Sequence, residues 1–175
     1  MASPSFKLSK EGRMTDAVLL ALIYSSLAGI DPALTLAVIK VESNFNQRAT
    51  GSVGEIGLMQ VHPKFVAIPK HKLYNININI REGVRNLANS KLRCKHRESY
   101  TFLVCYNAGI TGGSKIKNPR AFTYYKRVMK EYKEMSKIFK PGQRVVVLGA
   151  YYGGANGAGV IVQLSGSREF KGMYI

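Results

Sequence analysis

The sequence predicts a mainly α-helical domain that is followed by a short, β-rich C-terminal extension. Apolar residues recur at helical spacing through most of the chain, and Asp-Pro and Gly residues mark where helices begin and end. The composition changes after Pro141: eight of the 17 glycines fall in the last 34 residues, around the β-branched runs RVVVL and GVIVQL. We therefore divide the chain into an N-terminal arm (residues 1–13), a helical domain (14–140) and a β extension (141–175).

The first helix is expected over about residues 15–29, where the run AVLLALIYSSLAGI follows a favourable N-cap at Thr15-Asp16. At 14 residues this run is too short to cross a bilayer, and no small-residue cleavage site stands at the usual distance. We therefore expect a buried first helix, with neither a transmembrane segment nor a signal peptide.

Four further helices are expected. The second begins at Asp31-Pro32, because Asp is a favourable N-cap and Pro suits the first helical position. Another follows a Gly- and Ser-rich segment and places Ile80 and Leu87 on one apolar stripe. The short segment YTFLVCYNAG ends at Gly109, and the long amphipathic segment NPRAFTYYKRVMKEYKEMSKIF completes the helical domain.

The extension resembles part of a KOW-type barrel in the string GQRVVVLGAYYGGANGAGVIVQL, although it is too short for a complete barrel. Because two or three strands are marginally stable alone, the extension is expected to pack on the helical domain or on a partner. A structural β unit and a module that binds nucleic acid or protein both fit this pattern.

The chain is strongly basic, with 26 Lys and Arg residues against 10 Asp and Glu residues and a net charge of +16. Residues 64–140 hold 18 of the cations and four of the acids, which gives that segment a charge of +14. Such a field favours a polyanionic partner, namely nucleic acid, an anionic membrane surface or a cell-wall glycan with its peptide carboxylates. A solvated basic face without a partner is the alternative.

The two cysteines, Cys94 and Cys105, are too few for a disulfide framework. Two buried thiols are expected, with a bridge across a helical hairpin as the alternative. The histidines, His62, His71 and His96, lack the spacing of metal ligands. No metal site and no cofactor are therefore expected.

The most informative acid is Glu42, in AVIKVESNFN near the end of the second predicted helix. Leu34, Val38 and Val41 lie along one helical stripe, and Glu42 lies at its edge. Burial against apolar neighbours disfavours the charged form and raises the pKa of a carboxyl group. A carboxyl group that stays protonated near neutral pH suits general acid catalysis, such as protonation of a departing glycosidic oxygen. A surface glutamate in a last helical turn is the alternative that this helix alone leaves open.

Five segments occur in one order over about 90 residues, namely VESNF, GEIGLMQVHP, NIREGVRNL, CYNAG and NPRAFTYYKRV. This ordered set resembles the soluble lytic transglycosylase family over roughly residues 16–130. The resemblance implies a lysozyme-like α fold that cleaves the β-1,4 bond between N-acetylmuramic acid and N-acetylglucosamine in peptidoglycan. It also implies a 1,6-anhydro product and no cofactor.

By this resemblance, functional residues of the family carry over to matching positions of the chain. Glu42 corresponds to the single catalytic acid, which protonates the bridging oxygen and then takes the proton of the muramic C6 hydroxyl group. The glycine of GLMQ is expected to let the backbone approach a sugar ring, and its glutamine offers both a donor and an acceptor. The expected substrate-binding residues are Ser43, Ser52, Gly57, Met59, Gln60, Tyr106, Asn107 and Tyr124.

The chain departs from the family pattern at two places close to these residues. Gly51 stands where a serine is frequent, so the neighbouring Ser52 is the expected substitute. Arg120-Ala121 stands where a Glu-Thr pair precedes the tyrosine that matches Tyr124. The second change removes a carboxylate that would orient this tyrosine.

A third departure, Glu55, supports a different chemistry. It replaces a small residue and lies 13 residues after Glu42, on the glycine-rich loop that is expected to face the cleft. A second carboxylate there would activate water and give a hydrolytic muramidase similar to goose-type lysozymes, which share the string GLMQV. An inactive binding or structural module that no longer uses Glu42 is the third hypothesis.

The basic charge and the lack of a recognised export signal favour a bacteriophage protein that travels in the virion and opens the cell wall for genome delivery. An endolysin that passes from the host cytoplasm to the periplasmic cell wall is the alternative. The expected partners are peptidoglycan glycan strands, other virion or tail proteins at the β extension, and DNA at the basic face.

Overall fold

The fold is mainly helical, as the sequence predicts. The computed structural model describes the backbone of residues 10–94, 101–113, 119–137, 145–152, 158–164 and 170–174, and side chains within 16–94, 101–111 and 119–137. Within these ranges the helices are α1 (Lys10–Leu27), α2 (Pro32–Ser43), α3 (Ile76–Arg93), α4 (Leu103–Gly113) and α5 (Pro119–Met135). Short 3-10 turns at Pro63–Phe65 and Lys70–Tyr74 lie between α2 and α3. The predicted arm up to residue 9, His96 and the start of the predicted extension lie outside the described residues.

The predicted start of α1 is wrong. The helix begins at Lys10, so Thr15 and Asp16 lie inside it and do not form its N-cap. The segment KEGRM that precedes them consists mostly of strong helix formers, which explains why the helix continues past the expected start. Within the described residues, no helix combines the length and the apolarity that crossing a bilayer requires.

The start of α2 is confirmed and explains how this helix enters the core. The Asp31 carboxylate accepts a hydrogen bond from the backbone N–H of Ala33 at 2.9 Å, and Pro32 occupies the first helical position. Every residue from 33 to 39 is buried, because α1 and α5 both pack against α2. Glu42 therefore lies where the central helix leaves the core.

The predicted apolar stripe of α3 is confirmed, and the predicted end of the short helix at Gly109 is instead a break within α4. Ile80 and Leu87 of α3 are fully buried and belong to the same core as α2. Gly109 interrupts α4 with a φ of 73° and a ψ of 162°, a conformation that glycine adopts readily. Helical turns resume after it and end at Gly113.

The expectation of two free thiols is wrong, because Cys94 and Cys105 form a disulfide bond with their Cα atoms 6.0 Å apart. Cys94 follows the last residue of α3, and Cys105 lies in the first turn of α4. The bond therefore joins the end of one helix to the start of the next. The spacing of the two cysteines in the sequence is compatible with this disulfide bond but does not require it.

The C-terminal segment contains three strands, β1 (Val145–Tyr152), β2 (Ala158–Leu164) and β3 (Phe170–Tyr174). They form an antiparallel sheet in sequence order, with Val145 opposite Leu164 and Gly159 opposite Tyr174. The division of the chain at residue 141 and the likeness of this segment to a KOW unit stay predictions.

Candidate functional site

A groove of about 680 Å³ opens beside the end of α2. One side, which we call the helix wall, consists of the α2 and α5 residues that line the groove. The opposite side, the loop wall, consists of residues 49–60. The lining residues are Lys40, Val41, Glu42, Ser43, Asn44, Ala49, Thr50, Gly51, Gln60, Arg127, Lys130 and Glu131.

Glu42 is the next-to-last residue of α2 and is half-buried at the groove. The helix ends because Asn44 adopts left-handed backbone angles, with φ 51° and ψ 42°. The Asn44 N–H still donates to the carbonyl oxygen of Lys40 at 3.0 Å, and Phe45 also has a positive φ of 61°. The chain therefore turns sharply after Glu42 and leaves this carboxyl group facing the groove.

Tyr124 of α5 contacts the Glu42 carboxyl group of α2. Its hydroxyl group donates a hydrogen bond to Glu42 Oε1 at 2.7 Å, because α5 packs along α2. The pKa of Glu42 is raised from 4.5 to about 7, mainly by burial and also by the charge of Glu55. The hydrogen bond from Tyr124 and the charge of Arg127 lower this pKa, but burial outweighs them. Near neutral pH both protonation states of Glu42 are therefore populated.

A second tyrosine, Tyr106, joins Tyr124 beside the acid. Their rings are stacked with centroids 6.5 Å apart, and the Tyr106 hydroxyl group donates to the carbonyl oxygen of Met59 at 2.9 Å. Burial, together with the charge of Glu42, raises the pKa of both tyrosines well above the usual value. Both hydroxyl groups therefore stay protonated and able to donate over the pH range in which Glu42 titrates.

The loop wall is held from behind by Asn79 of α3. The Asn79 side chain is buried, accepts a hydrogen bond from the Met59 N–H at 2.8 Å, and donates to two carbonyl oxygens. These belong to Ile56 and Leu73, at 2.7 and 2.8 Å. One amide side chain thus fixes three backbone groups, which gives the loop a defined shape without regular secondary structure.

Gly57 is required by this packing. It has a φ of 76°, and a Cβ atom here would lie 2.5 Å from Asn79 Nδ2 and 3.0 Å from the carbonyl oxygen of Leu73. The space beside Gly57 is therefore filled by the protein. This corrects the expectation that the missing side chain lets a sugar ring approach.

Two predicted binding residues, Ser43 and Gln60, line the groove and also join its parts. Ser43 Oγ donates to the carbonyl oxygen of Leu58 at 2.9 Å, which ties the end of α2 to the loop. Gln60 Nε2 donates to the carbonyl oxygen of Gly57 at 2.9 Å. Since these donors are already engaged, the two side chains present mainly acceptor atoms to the groove, namely the remaining lone pairs and the carbonyl oxygen of the Gln60 amide.

The other six predicted binding residues are not among the lining residues. Gly57, Tyr106 and Tyr124 are described above, and Met59, Ser52 and Asn107 also lie outside the lining. Met59 is fully buried, and its side chain packs against Gly83 of α3, so it contributes to the core and not to a substrate surface. Ser52 and Asn107 are exposed, but neither belongs to the lining. Thr50 lies in the groove instead of Ser52, and its hydroxyl group is 3.0 Å from that of Tyr74.

Glu55 belongs to the loop wall but is not one of the residues that line the groove. Its Oε2 atom accepts a hydrogen bond from the N–H of Val53 at 3.2 Å and lies directly beside Gly51. Its charge nevertheless raises the pKa of Glu42, so the two carboxyl groups interact electrostatically.

Sequence reasoning missed Lys40, Arg127 and Lys130 of the helix wall and Asn79 behind the loop wall. A signal for Arg127 was present, because it lies three residues after Tyr124 and so on the same side of the helix. Asn79 begins the segment NIREGVRNL, but its role was not indicated, since its partners lie up to 23 residues away in sequence.

The acid, its tyrosines and the loop lie in a segment that matches a known protein family. The family model described as Transglycosylase SLT domain matches residues 20–128, which is more than half of the chain. The chain belongs to this family. Its SLT domain includes every lining residue of the groove except Lys130 and Glu131.

A solved structure shows the same fold. The SLT domain is similar to an X-ray structure of an inactive mutant of the lytic transglycosylase Slt from Pseudomonas aeruginosa, with a TM-score of 0.61 and 18% sequence identity. The match covers 69% of this chain and 24% of the Pseudomonas chain. This chain thus matches about a quarter of the length of that protein.

Proposed function

We propose that the SLT domain is a peptidoglycan lytic transglycosylase with Glu42 as its acid and base. The observation that carries this proposal is the partly dehydrated carboxyl group of Glu42, which borders an open groove with a pKa of about 7. A carboxyl group of this acidity exchanges protons near neutral pH in either direction. Membership of the SLT family and the fold shared with Slt support the same reaction.

The reaction needs one carboxyl group in two successive roles. Protonated Glu42 donates its proton to the bridging oxygen, and the bond from C1 of the muramic sugar to that oxygen breaks. The Glu42 carboxylate then accepts the proton of the muramic C6 hydroxyl group, whose oxygen bonds to C1 and closes the 1,6-anhydro ring. Tyr124 stabilises the carboxylate between these steps through its hydrogen bond of 2.7 Å.

Product analysis tests this proposal. Purified murein is digested with the full chain, and the glycan ends are identified by mass spectrometry. We expect 1,6-anhydromuramic ends from the parent chain and none from Glu42→Gln. Reducing muramic ends from the parent would overturn the transglycosylase assignment and show that water had entered the reaction.

Hydrolysis is the second candidate, and the electrostatic contact between Glu55 and Glu42 favours it. A hydrolase that uses Glu55 as its base loses product formation in Glu55→Gln, whereas the transglycosylase keeps the product and changes mainly in its pH profile. The third candidate is a non-catalytic module. In that case the parent and Glu42→Gln both fail to clear a cell-wall suspension.

We further propose that the chain belongs to a bacteriophage virion and opens the wall locally for genome delivery. The net charge of +16 supports a location among anionic partners, namely DNA and cell wall, with the β strands available to other tail proteins. Peptide mass spectrometry of washed virions tests this proposal. Absence of the chain from virions, with its presence in lysates, would favour the endolysin role.

A further inference from the structure

The helix wall of the groove is rich in positive charge beside the acid. Lys40, Arg127 and Lys130 line the same groove as Glu42. Lys40 donates to Asn44 Oδ1 at 2.5 Å. Arg127 and Lys130 are exposed, and within the described part of the chain neither is paired with a carboxylate.

Two other cations, in α5 or just after it, have partners nearby. Lys137 contacts the Glu134 carboxylate at 2.7 Å, and the Lys126 ammonium group lies 5.0 Å from the centre of the Phe122 ring. The groove cations face Glu131 and Glu42, but Glu42 is partly protonated near neutral pH and is already bonded to Tyr124. The helix wall therefore keeps a positive charge that is available to a ligand in the groove.

We propose that Lys40, Arg127 and Lys130 bind carboxylates of the stem peptides that hang from the muramic residues of the substrate. This inference rests on the proposed function and names the part of the substrate that the helix wall selects. Where a stem peptide is attached, the carboxyl group of the muramic sugar is taken up in the amide link to that peptide, so the anionic groups of such a glycan strand are its stem carboxylates. A guanidinium group matches a carboxylate with two parallel hydrogen bonds, and the lysines add point charges.

The expected effect is modest because the cations are exposed. Exposed ion pairs contribute little individually, so two or three pairs correspond to a preference of about five-fold in Kd for charged stems over neutral ones. This preference is expected to shrink as salt is added, because exposed charges are screened.

Binding is measured with full-length Glu42→Gln, which keeps the groove but lacks the acid. Its Kd is compared on isolated murein with native stems and on the same murein after the stem carboxylates have been amidated. We expect binding to native murein to be about five-fold tighter at low salt. Equal Kd values would overturn the proposal, whatever the behaviour of further variants.

A matched pair of variants locates the effect. Arg127→Gln with Lys130→Gln, both added to the Glu42→Gln background, is expected to remove most of the preference for native stems. Lys126→Gln with Lys133→Gln removes the same charge from α5 away from the groove lining, and is expected to keep the preference. An equal loss in both pairs would mean that diffuse charge attracts the murein, and would overturn the site.

The two proposals fail in different ways. If the parent chain forms no anhydro ends from either murein, the proposed reaction is wrong while the binding comparison still stands. If anhydro ends form but the Kd values are equal, the stem-binding site is wrong and the reaction stands.

Discussion

The helix wall and the loop wall border one groove, but they satisfy their polar groups in opposite ways. On the loop wall, Gln60 and, from behind, Asn79 of α3 engage the backbone in short hydrogen bonds, and within the described residues no buried polar side-chain atom lacks a partner. On the helix wall, Glu42 has a dehydrated carboxyl group with one short hydrogen bond, beside exposed cations. The comparison indicates that the loop wall provides shape and that the helix wall holds the ionisable groups of the groove.

Glu42→Gln should show the largest effect, and it should be an effect on catalysis. Loss of the acid removes proton transfer in both steps, so we expect anhydro product formation to fall by about 10²- to 10⁴-fold. The hydrogen bond from Tyr124 can be kept by the new amide oxygen, so the fold should persist. Glu134→Gln, which changes an exposed residue of α5, is the control. Comparable rates of product formation for these two variants would show that Glu42 takes no part in the reaction.

Asn79→Ala should mainly affect stability, because it breaks the loop wall. It leaves three backbone groups without their partner, and we expect a loss of about 3 kcal/mol in the free energy of unfolding. Urea denaturation measures this loss, with exposed Asn89→Ala on the same helix as the control. Equal stabilities of the two variants would mean that Asn79 does not hold the loop.

The pH dependence of stability should reveal the cost of burying Glu42. Because the folded chain has a pKa of about 7 in place of 4.5, it favours the protonated form. The stability that this preference contributes is complete below pH 4.5 and is lost as the pH rises through 7. The loss amounts to at most about 3 kcal/mol. The difference in unfolding free energy between the parent and Glu42→Gln, measured from pH 4 to 8, should decrease by up to this amount, and a constant difference would contradict it.

Tyr124→Phe should produce the smallest change and the most specific one. Removal of a hydrogen bond that lowers the pKa of Glu42 should raise this pKa further and move the basic limb of the rate profile to higher pH. We expect the rate to fall about ten-fold, since a charge-assisted hydrogen bond is lost.

Tyr132→Phe is the control, because Tyr132 donates to the Asp31 carboxylate over the same distance of 2.7 Å, at the other end of α2. Its removal should leave the pH profile unchanged. A shift of equal size in both variants would mean that Tyr124 acts on the fold and not on the acid.

The sequence predicts local features of the fold well, because their causes are local. Asp31 and Pro32 define the start of α2, and the period of its apolar residues places Glu42 at the edge of a buried stripe. The start of α1 was misplaced because Thr15-Asp16 is a suitable N-cap by itself, while the preceding residues also favour a helix.

Features that depend on distant partners could not be predicted in the same way. Asn79 looks like an ordinary polar residue of α3 until the fold brings the loop against it. The pairing of Cys94 with Cys105 depends on how the ends of α3 and α4 meet, which the spacing of the cysteines does not fix. The positions of Met59 and Gly57 followed from the resemblance, but their burial follows from packing against α3.

The left-handed turn at Asn44 has a consequence for the strength of the acid. Because α2 ends there, Glu42 lies in the terminal turn of a helix, and this end of a helix carries a partial negative charge. That dipole opposes ionisation of Glu42, whereas the same residue at the start of a helix would ionise more easily. The residue that stops the helix therefore helps Glu42 to retain its proton near neutral pH.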